Sequence, residues 1–319
     1  MDAAGGTADV RRGRLLRRDA MARIVVVGEA LVDLVGDPGG RRFRADPGGG
    51  PANVAVGLGR LGIAVTLVTG LGDDAFGGLV TEHLTGSGVT PAGWAEPFTP
   101  LAVVSVDELG VPSYDFAISW TSARPEPPPG TAVLHAGSIA AALAAGPVEA
   151  AMAAAPTVSY DPNIRPPLLR DRASERRRVE RQVALSDVVK ASDEDLAWLY
   201  PGDDPVEVAH RWVRLGPALA VVTRGPGGCV AVTATGQVER PAPVVEVADT
   251  VGAGDAFMSG LLSGLLSGGL LDPARRDELA RGDAASLSGP LAAALASAAI
   301  TCTRPGADPP TADELDAVL

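Results

Sequence analysis

The chain has 319 residues, 46 % of them hydrophobic and 4 % aromatic, with a formal net charge of −12 and a pI near 4.7. That length and apolar content support a large buried core, as one α/β domain or two modest ones, and exclude disorder throughout. The acidity weighs against a nucleic acid or an anionic membrane surface as partner, and the scarcity of aromatics against a stacking platform for single strands. A small polyphosphate anion stays compatible, because local dipoles and a divalent cation outweigh a distant net charge. Cys229 and Cys302 stand far apart and outside any metal-binding spacing. They are expected as buried thiols in a reducing, cytoplasmic setting. No apolar run reaches the roughly 18 residues of a membrane span.

In chain order, residues 1–20 carry Arg11, Arg12, Arg14, Arg17 and Arg18 without a signal-type apolar stretch. They read as a disordered tail or an upstream start, with Met21 the working start; an Arg-rich targeting tail is the rival reading. Residues 24–28 form a short buried strand, and 31–35 extend it, with Asp33 breaking the apolar pattern. Residues 51–61 read as a helix with small packing residues, 66–70 as a strand and 76–87 as a helix. Residues 101–106 and 114–121 read as strands around the turn Asp107-Glu108-Leu109-Gly110. This hairpin interrupts a β-α alternation, so segments of about 36–47 and 97–122 are assigned to a small β lid. After a Pro-rich linker at 124–130, strands at 132–135, 157–160, 188–190 and 219–223 alternate with helices, among them 139–155 and 171–185. A second hairpin at 230–233 and 238–240, a strand pattern at Val244, Val245 and Val247, and a last helix near 290–301 complete the chain. The expected fold is α/β: a mostly parallel central sheet with helices on both faces, in one domain over 21–319.

The segment Asp249-Thr250-Val251-Gly252-Ala253-Gly254-Asp255 enters an apolar helix. Gly252 and Gly254 let the backbone approach a ligand, and the unpaired N–H groups of the helix start favour an anion there. Asp255, in that first turn, is placed to accept a proton from a hydroxyl while the amides hold phosphoryl oxygens. On this segment alone, a plain helix-capping role for Asp255 stands beside the catalytic one. Two further Gly-rich approaches shift the balance. Gly48-Gly49-Gly50-Pro51-Ala52-Asn53 enters a helix, with Asn53 and Asp33 suited to a polyol. Thr223-Arg224-Gly225-Pro226-Gly227-Gly228 ends a strand and suits a flat, charged ligand.

On these three segments, together with Tyr160-Asp161-Pro162-Asn163-Ile164-Arg165 and Gly28-Glu29-Ala30-Leu31-Val32-Asp33, the chain resembles the ribokinase-like (PfkB) carbohydrate kinases over about 24–310, and most the fructokinase branch. The resemblance implies a ribokinase-like fold and transfer of the ATP γ-phosphate to a sugar's primary hydroxyl, with Mg²⁺. It implies Asp255 as base and Gly252, Ala253 and Gly254 as anion hole. Asp33, Gly49, Asn53, Asn163 and Arg165 fall on the sugar side, and Thr223, Gly225 and Gly228 on the ATP side. Carbonyls near Asp249, Val251, Arg304 and Gly306 are the implied K⁺ site. Apart from the resemblance, an exposed lid edge offers a surface through which a second copy could pair as a homodimer. One departure concerns the family's Asn-x-x-Glu, which orients metal and phosphate. Here the matching positions are Ser192 and Asp195.

On the resemblance alone, fructose is the favoured sugar. The rivals are 2-dehydro-3-deoxygluconate, whose carboxylate suits Arg165, then ribose or a nucleoside, and, from another class, a catalytically silent sugar-binding regulator. Gly57-x-Gly59-x-x-Gly62 matches a dinucleotide fingerprint but lies at a helix end, where that geometry is missing. Lys190 is the only lysine in the chain and follows no Gly-rich loop. His83, His135 and His210 read as ordinary core or surface histidines. The arginines between Arg172 and Arg181 read as a solvated helix face.

Overall fold

The computed structural model describes residues 23–36, 42–106, 112–120, 124–169 and 171–319. The expected tail over 1–20, Met21 and the turn Asp107-Glu108-Leu109-Gly110 lie outside the described residues. The strands in chain order are β1 (Arg23–Val27), β2 (Leu31–Gly36), β3 (Phe43–Gly48), β4 (Val65–Gly72), β5 (Val89–Glu96), β6 (Leu101–Val106), β7 (Pro112–Ala117), β8 (Thr131–Gly137), β9 (Thr157–Asp161), β10 (Val188–Ser192), β11 (Leu219–Thr223), β12 (Cys229–Thr233) and β13 (Gly236–Arg240). The helices are α1 (Gly50–Arg60), α2 (Ala75–Gly86), α3 (Ser138–Leu143), α4 (Ala145–Ala154), α5 (Arg172–Ala184), α6 (Asp193–Leu199), α7 (Pro205–Val213), α8 (Ala253–Ser267), α9 (Arg276–Ala280), α10 (Ser288–Cys302) and α11 (Ala312–Asp316).

Nine strands make the main sheet in the order β13-β12-β11-β10-β9-β8-β1-β4-β5. From β11 to β5 all pairings are parallel, and β12 and β13 close one edge as an antiparallel hairpin. The cause is legible in β1: Ile24 and Val26 face one core, Val25 and Val27 the other, and all four are fully buried. A strand covered on both faces reads as a continuous apolar run. The first core takes in side chains of α1, α2, α8 and α10, the second those of α3 to α7. Each fully buried Val or Leu contributes roughly 1.5–3 kcal/mol relative to exposure.

A four-stranded sheet, β3-β2-β6-β7, stands apart from the main one. Here the structure corrects the reading of 31–35, which do not extend the first strand. The chain breaks at Gly28–Ala30 and β2 joins the small sheet, antiparallel to β3 and parallel to β6. The break is pinned by Glu29, a buried carboxylate that accepts hydrogen bonds from the amides of Ile139 (3.3 Å) and Ala140 (2.9 Å).

Four further differences have local causes. β5 is an edge strand that the pattern missed, since Pro91 and Gly93 mask its β signature. The Val244–Val247 stretch is not a strand: Val244 is fully exposed and no partner strand lies alongside. The 139–155 helix is two helices, broken at Ala144. Finally, the arginine-rich helix α5 is not wholly solvated. Arg178 is buried, paired with Glu175 and bonded to Gln182 and the Ala141 carbonyl. The turn from charged surface to packed face happens within that helix because those partners satisfy the guanidinium.

Candidate active site

The carboxyl ends of the parallel strands meet the small sheet where the strand order reverses, with β8 and β4 on either side of β1. Open α/β sheets bind ligands at such a point. Of the residues singled out in the sequence, Asn163 and Asp255 line a cleft there, and Asn53 is bonded to Asp255.

Asp255 lies in the first turn of α8 and is 8 % exposed. The N-cap Gly252 has φ 74°, and a Cβ there would stand 2.5 Å from that of Ala307. Only glycine satisfies both the left-handed backbone and that approach. The Ala253 N–H is engaged with the Thr250 carbonyl at 3.2 Å, and the helical ladder begins with Ala256 N–H to Gly252 O at 2.8 Å. The first-turn amides of Gly254 and Asp255 therefore remain for an anion. Of the three expected anion-hole residues, Ala253 is the one whose N–H is already spent.

Asn53, on α1, donates from Nδ2 to Asp255 Oδ2 at 2.9 Å. That contact depends on how closely α1 and α8 approach. A Cβ on Gly57 would stand 2.3 Å from Ser259 Oγ, so the first glycine of the dinucleotide-like pattern serves helix packing. Burial raises the Asp255 carboxyl to about 7, while the Asn53 bond and the Lys190 charge pull it down. A base poised near working pH is what proton abstraction favours.

Around Asp255 the cleft is lined by Gly50, His135, Ser138, Asp161 and Asn163. A Cβ on Gly50 would stand 2.7 Å from Asn163 Nδ2 and 3.4 Å from both Asp255 Oδ1 and Ser138 Oγ. Three polar side chains thus converge on one bare backbone position. Ser138 (φ 56°) and Asn163 (φ 39°) are the only non-glycine residues with positive φ among those described. Such conformations cost on the order of 1 kcal/mol each and gather at functional sites.

Several of these residues escaped the sequence reading. Ser138 had no flanking motif to mark it. Asp161 and Lys190 form an ion pair of 2.8 Å with side chains only 4 % and 5 % exposed, 29 positions apart on β9 and β10. His135 is buried, with Nδ1 3.1 Å from Ser159 Oγ, and burial lowers its ring to about 4, so it is neutral.

Ser192 and Asp195 form a reciprocal cap at the start of α6. Asp195 also accepts from the Ile164 amide at 2.9 Å, anchoring the loop that carries Asn163 and Arg165. Burial pushes the Asp195 carboxyl up. Arg165 is exposed and donates to its neighbour's carbonyl, Ile164 O, at 3.1 Å.

On the small sheet, Asp33 stands opposite Asp46 across β2 and β3. Burial and the Asp46 charge raise Asp33 to about 6, against the pull of Arg165. Gly49, the N-cap of α1, has φ 103°. On the other side of the cleft, β11 ends at Thr223, and the turn through Gly225 closes with Arg224 N–H to Gly228 O at 2.8 Å. Nearby the 241–251 segment exposes Val244, Val247 and Val251. Asp249 accepts from the amides of Val251 (3.0 Å) and Gly306 (2.8 Å), which brings the two loops of the expected cation site together. The Arg304 guanidinium is engaged with Asp308 and Glu314.

Residues 21–314 match the family described as pfkB family carbohydrate kinase. A fructokinase from Klebsiella pneumoniae is 37 % identical over 267 residues, 78 % of this chain and 86 % of that protein. Among solved structures, a Xylella fastidiosa fructokinase with bound ATP superposes with a TM-score of 0.79 at 30 % identity, covering 93 % of this chain and 97 % of that one. A double-mutant fructokinase from Vibrio cholerae O395, bound to fructose, ADP and a potassium ion, gives 0.76 at 29 % identity, covering 90 % and 94 %. The fold is accordingly ribokinase-like, as in these sugar- and nucleotide-bound relatives. With a family match over nearly the whole chain and curated relatives above 30 % identity, the chain belongs to the pfkB family of carbohydrate kinases and is an ATP-dependent sugar kinase.

Proposed function

We propose that the chain transfers the γ-phosphoryl group of ATP to the primary hydroxyl of fructose, as a cytoplasmic fructokinase with Asp255 as general base. The observation that carries this reading is Asp255 itself: buried, raised to about 7, held by Asn53 and set in the turn whose free amides face the cleft. The hydroxyl proton passes to Asp255 Oδ1, while the Gly254 and Asp255 amides and the α8 dipole hold the phosphoryl oxygens. Asn53, Asn163, Gly49, Arg165 and Asp33 position the sugar. Thr223, Gly225 and Gly228 hold the nucleotide, with exposed Val244 and Val247 offering apolar surface to its base.

Mg²⁺ bound with ATP would neutralise charge on the transferred phosphoryl group. No cluster of three or more His, Cys, Asp or Glu suited to a metal occurs among the described residues, which fits a cation carried on nucleotide phosphates. Ser192 and Asp195 act on the nucleotide indirectly in this reading, through the loop they anchor. K⁺ would be held by the carbonyls of Asp249, Val251, Arg304 and Gly306, on loops that Asp249 already ties together. We read 21–319 as one kinase domain. Its lid segments, 36–47 and 97–122, are completed by β2, and the outer strands β3 and β7 are the edges through which a second copy would pair.

An acidic sugar fits less well. The lid presents two carboxylates, Asp33 and Asp46, and Arg165 is already bonded to its own loop. The test is ADP release with Mg²⁺-ATP across fructose, 2-dehydro-3-deoxygluconate, ribose and adenosine. Turnover highest with fructose is the expected result. Turnover highest with another of the four overturns the assignment of fructose, and a folded, ATP-binding protein silent with all four overturns the kinase reading in favour of a sugar-binding regulator.

A further inference from the structure

Every basic side chain in the sequence apart from histidine is an arginine, except Lys190. That exception sits in the middle of β10, almost wholly out of solvent. Burying an ammonium is costly unless it is paired, and Asp161 pairs it. Its other neighbour is the first turn of α8: a Cβ placed on Gly254 would stand 3.2 Å from Lys190 Nζ. The ammonium therefore rests against the residue just before Asp255. A compact point charge fits that space, whereas a planar guanidinium with its fixed fork does not. This accounts for a lysine in an otherwise arginine-only chain, and for a glycine at 254, whose backbone φ is not in the left-handed region.

We infer that Lys190 is a positioning residue for the catalytic base: clamped by Asp161 and seated against Gly254, its ammonium keeps the Asp255 carboxylate ionised and able to accept the hydroxyl proton. The inference rests on Asp255 being the base. The groups facing Asp255 come from every side of the cleft. Asn53 on α1 donates a hydrogen bond, and Lys190 on β10 and Arg165 beyond β9 attract its negative charge. Asp161 on β9 repels it. Asp195 on α6 acts on Lys190 and Asp161, and His135 on β8 is neutral. Burial opposes ionisation, and after the Asn53 hydrogen bond the Lys190 charge is the next influence that favours it. Lys190 itself is held above its ordinary value by Asp161, Asp255 and Asp195, although burial, the largest single influence, opposes its charge. It therefore stays an ammonium throughout the working pH range.

The experiment is a ¹³C carboxyl NMR titration of full-length, aspartate-labelled protein without ligands, with the Asp255 signal assigned by its loss in Asp255→Asn. Lys190→Met should move the Asp255 midpoint up by about one pH unit or more, and Asp161→Asn should move it down, since the two remove charges of opposite sign. If either loss of charge prevents folding, Gly254→Ala supplies the test: it crowds the ammonium away without removing it, and the midpoint should rise. Shifts in the same direction from Lys190→Met and Asp161→Asn, or an unmoved midpoint in folded Lys190→Met or Gly254→Ala protein, would overturn the inference. The readout needs no turnover. Failure of Asp255 as base would appear separately, as undiminished ADP release by Asp255→Asn.

Discussion

The two sides of the cleft are built on different principles. Around Asp255 the groups are buried and committed: the carboxylate bonds Asn53, Lys190 pairs with Asp161, and Asp195 caps α6 and holds Ile164. On the lid side the charges are partly exposed and loosely balanced. Asp33 faces Asp46 with no cation bonded directly to Asp33 among the described residues, and Arg165 reaches over from an exposed loop. Fixed dipoles in a dry interior stabilise developing charge without reorganising, so chemistry belongs in the first region. In the proposed reading, choice of sugar falls to the second.

The sharpest way to break that contrast is Asp255→Asn. Turnover should fall by about 10²–10⁴ while the protein stays folded. The same variant should be the more stable one at pH 8. The native carboxyl is raised to about 7 from 3.8, so the folded state binds more protons than the unfolded state between those values. Stability of the parent should therefore decline as pH rises from 4 to 7 and level off above, by up to a few kcal/mol. In Asp255→Asn the part of the decline due to this group disappears, which thermal melts across pH will show. Turnover of the parent should also fall on acidification through about 7, as the base is protonated.

Gly57→Val attacks the same region from outside the cleft. The added side chain meets Ser259 and pushes α1 from α8, lengthening the Asn53–Asp255 bond. Overpacking of this kind costs about 1–3 kcal/mol in denaturant melts, and a misplacement near 1 Å costs up to about 10² in kcat.

The lid side should respond differently, in KM before kcat. Asp33→Asn removes a charged acceptor worth roughly 1.5–3 kcal/mol, so KM for the sugar should rise about 10- to 100-fold. In the parent KM should climb as pH falls through about 6, where Asp33 takes up its proton, and in Asp33→Asn that dependence should vanish. The smallest effect belongs to Arg44→Ala on β3. It breaks an exposed pair with Asp46 at 2.6 Å and should change stability by no more than about 0.5 kcal/mol in the same melts.

Legibility followed the same divide. Continuous apolar runs such as 24–27 and 219–222 announced a sheet buried on both faces, because two cores leave no polar alternation. The turn at 249–255 was readable because its glycines and carboxylate stand together at the head of an apolar helix, a spacing that fits an anion site as well as a cap. β2 was misjudged because Leu31–Val35 is apolar enough to prolong β1, and only the bonds from Glu29 to the α3 amides show why the chain leaves the main sheet. Lys190 was noticed as a lone lysine and Asp161 as part of a motif, yet nothing local joined them, since their contact is made across neighbouring parallel strands.

The sequence by itself determined the α/β alternation, the two-faced core and the glycine-bracketed turn that sets Asp255 in the first turn of a helix. All of these rest on near-neighbour spacing along the chain. Tertiary structure alone decided which charges meet: Lys190 with Asp161 behind Gly254, Asp195 with the Ile164 amide, and Ser138 and Asn163 strained into one cleft. Long-range pairing of buried charge is governed by strand order and helix approach, and neither is written in the spacing of any single segment.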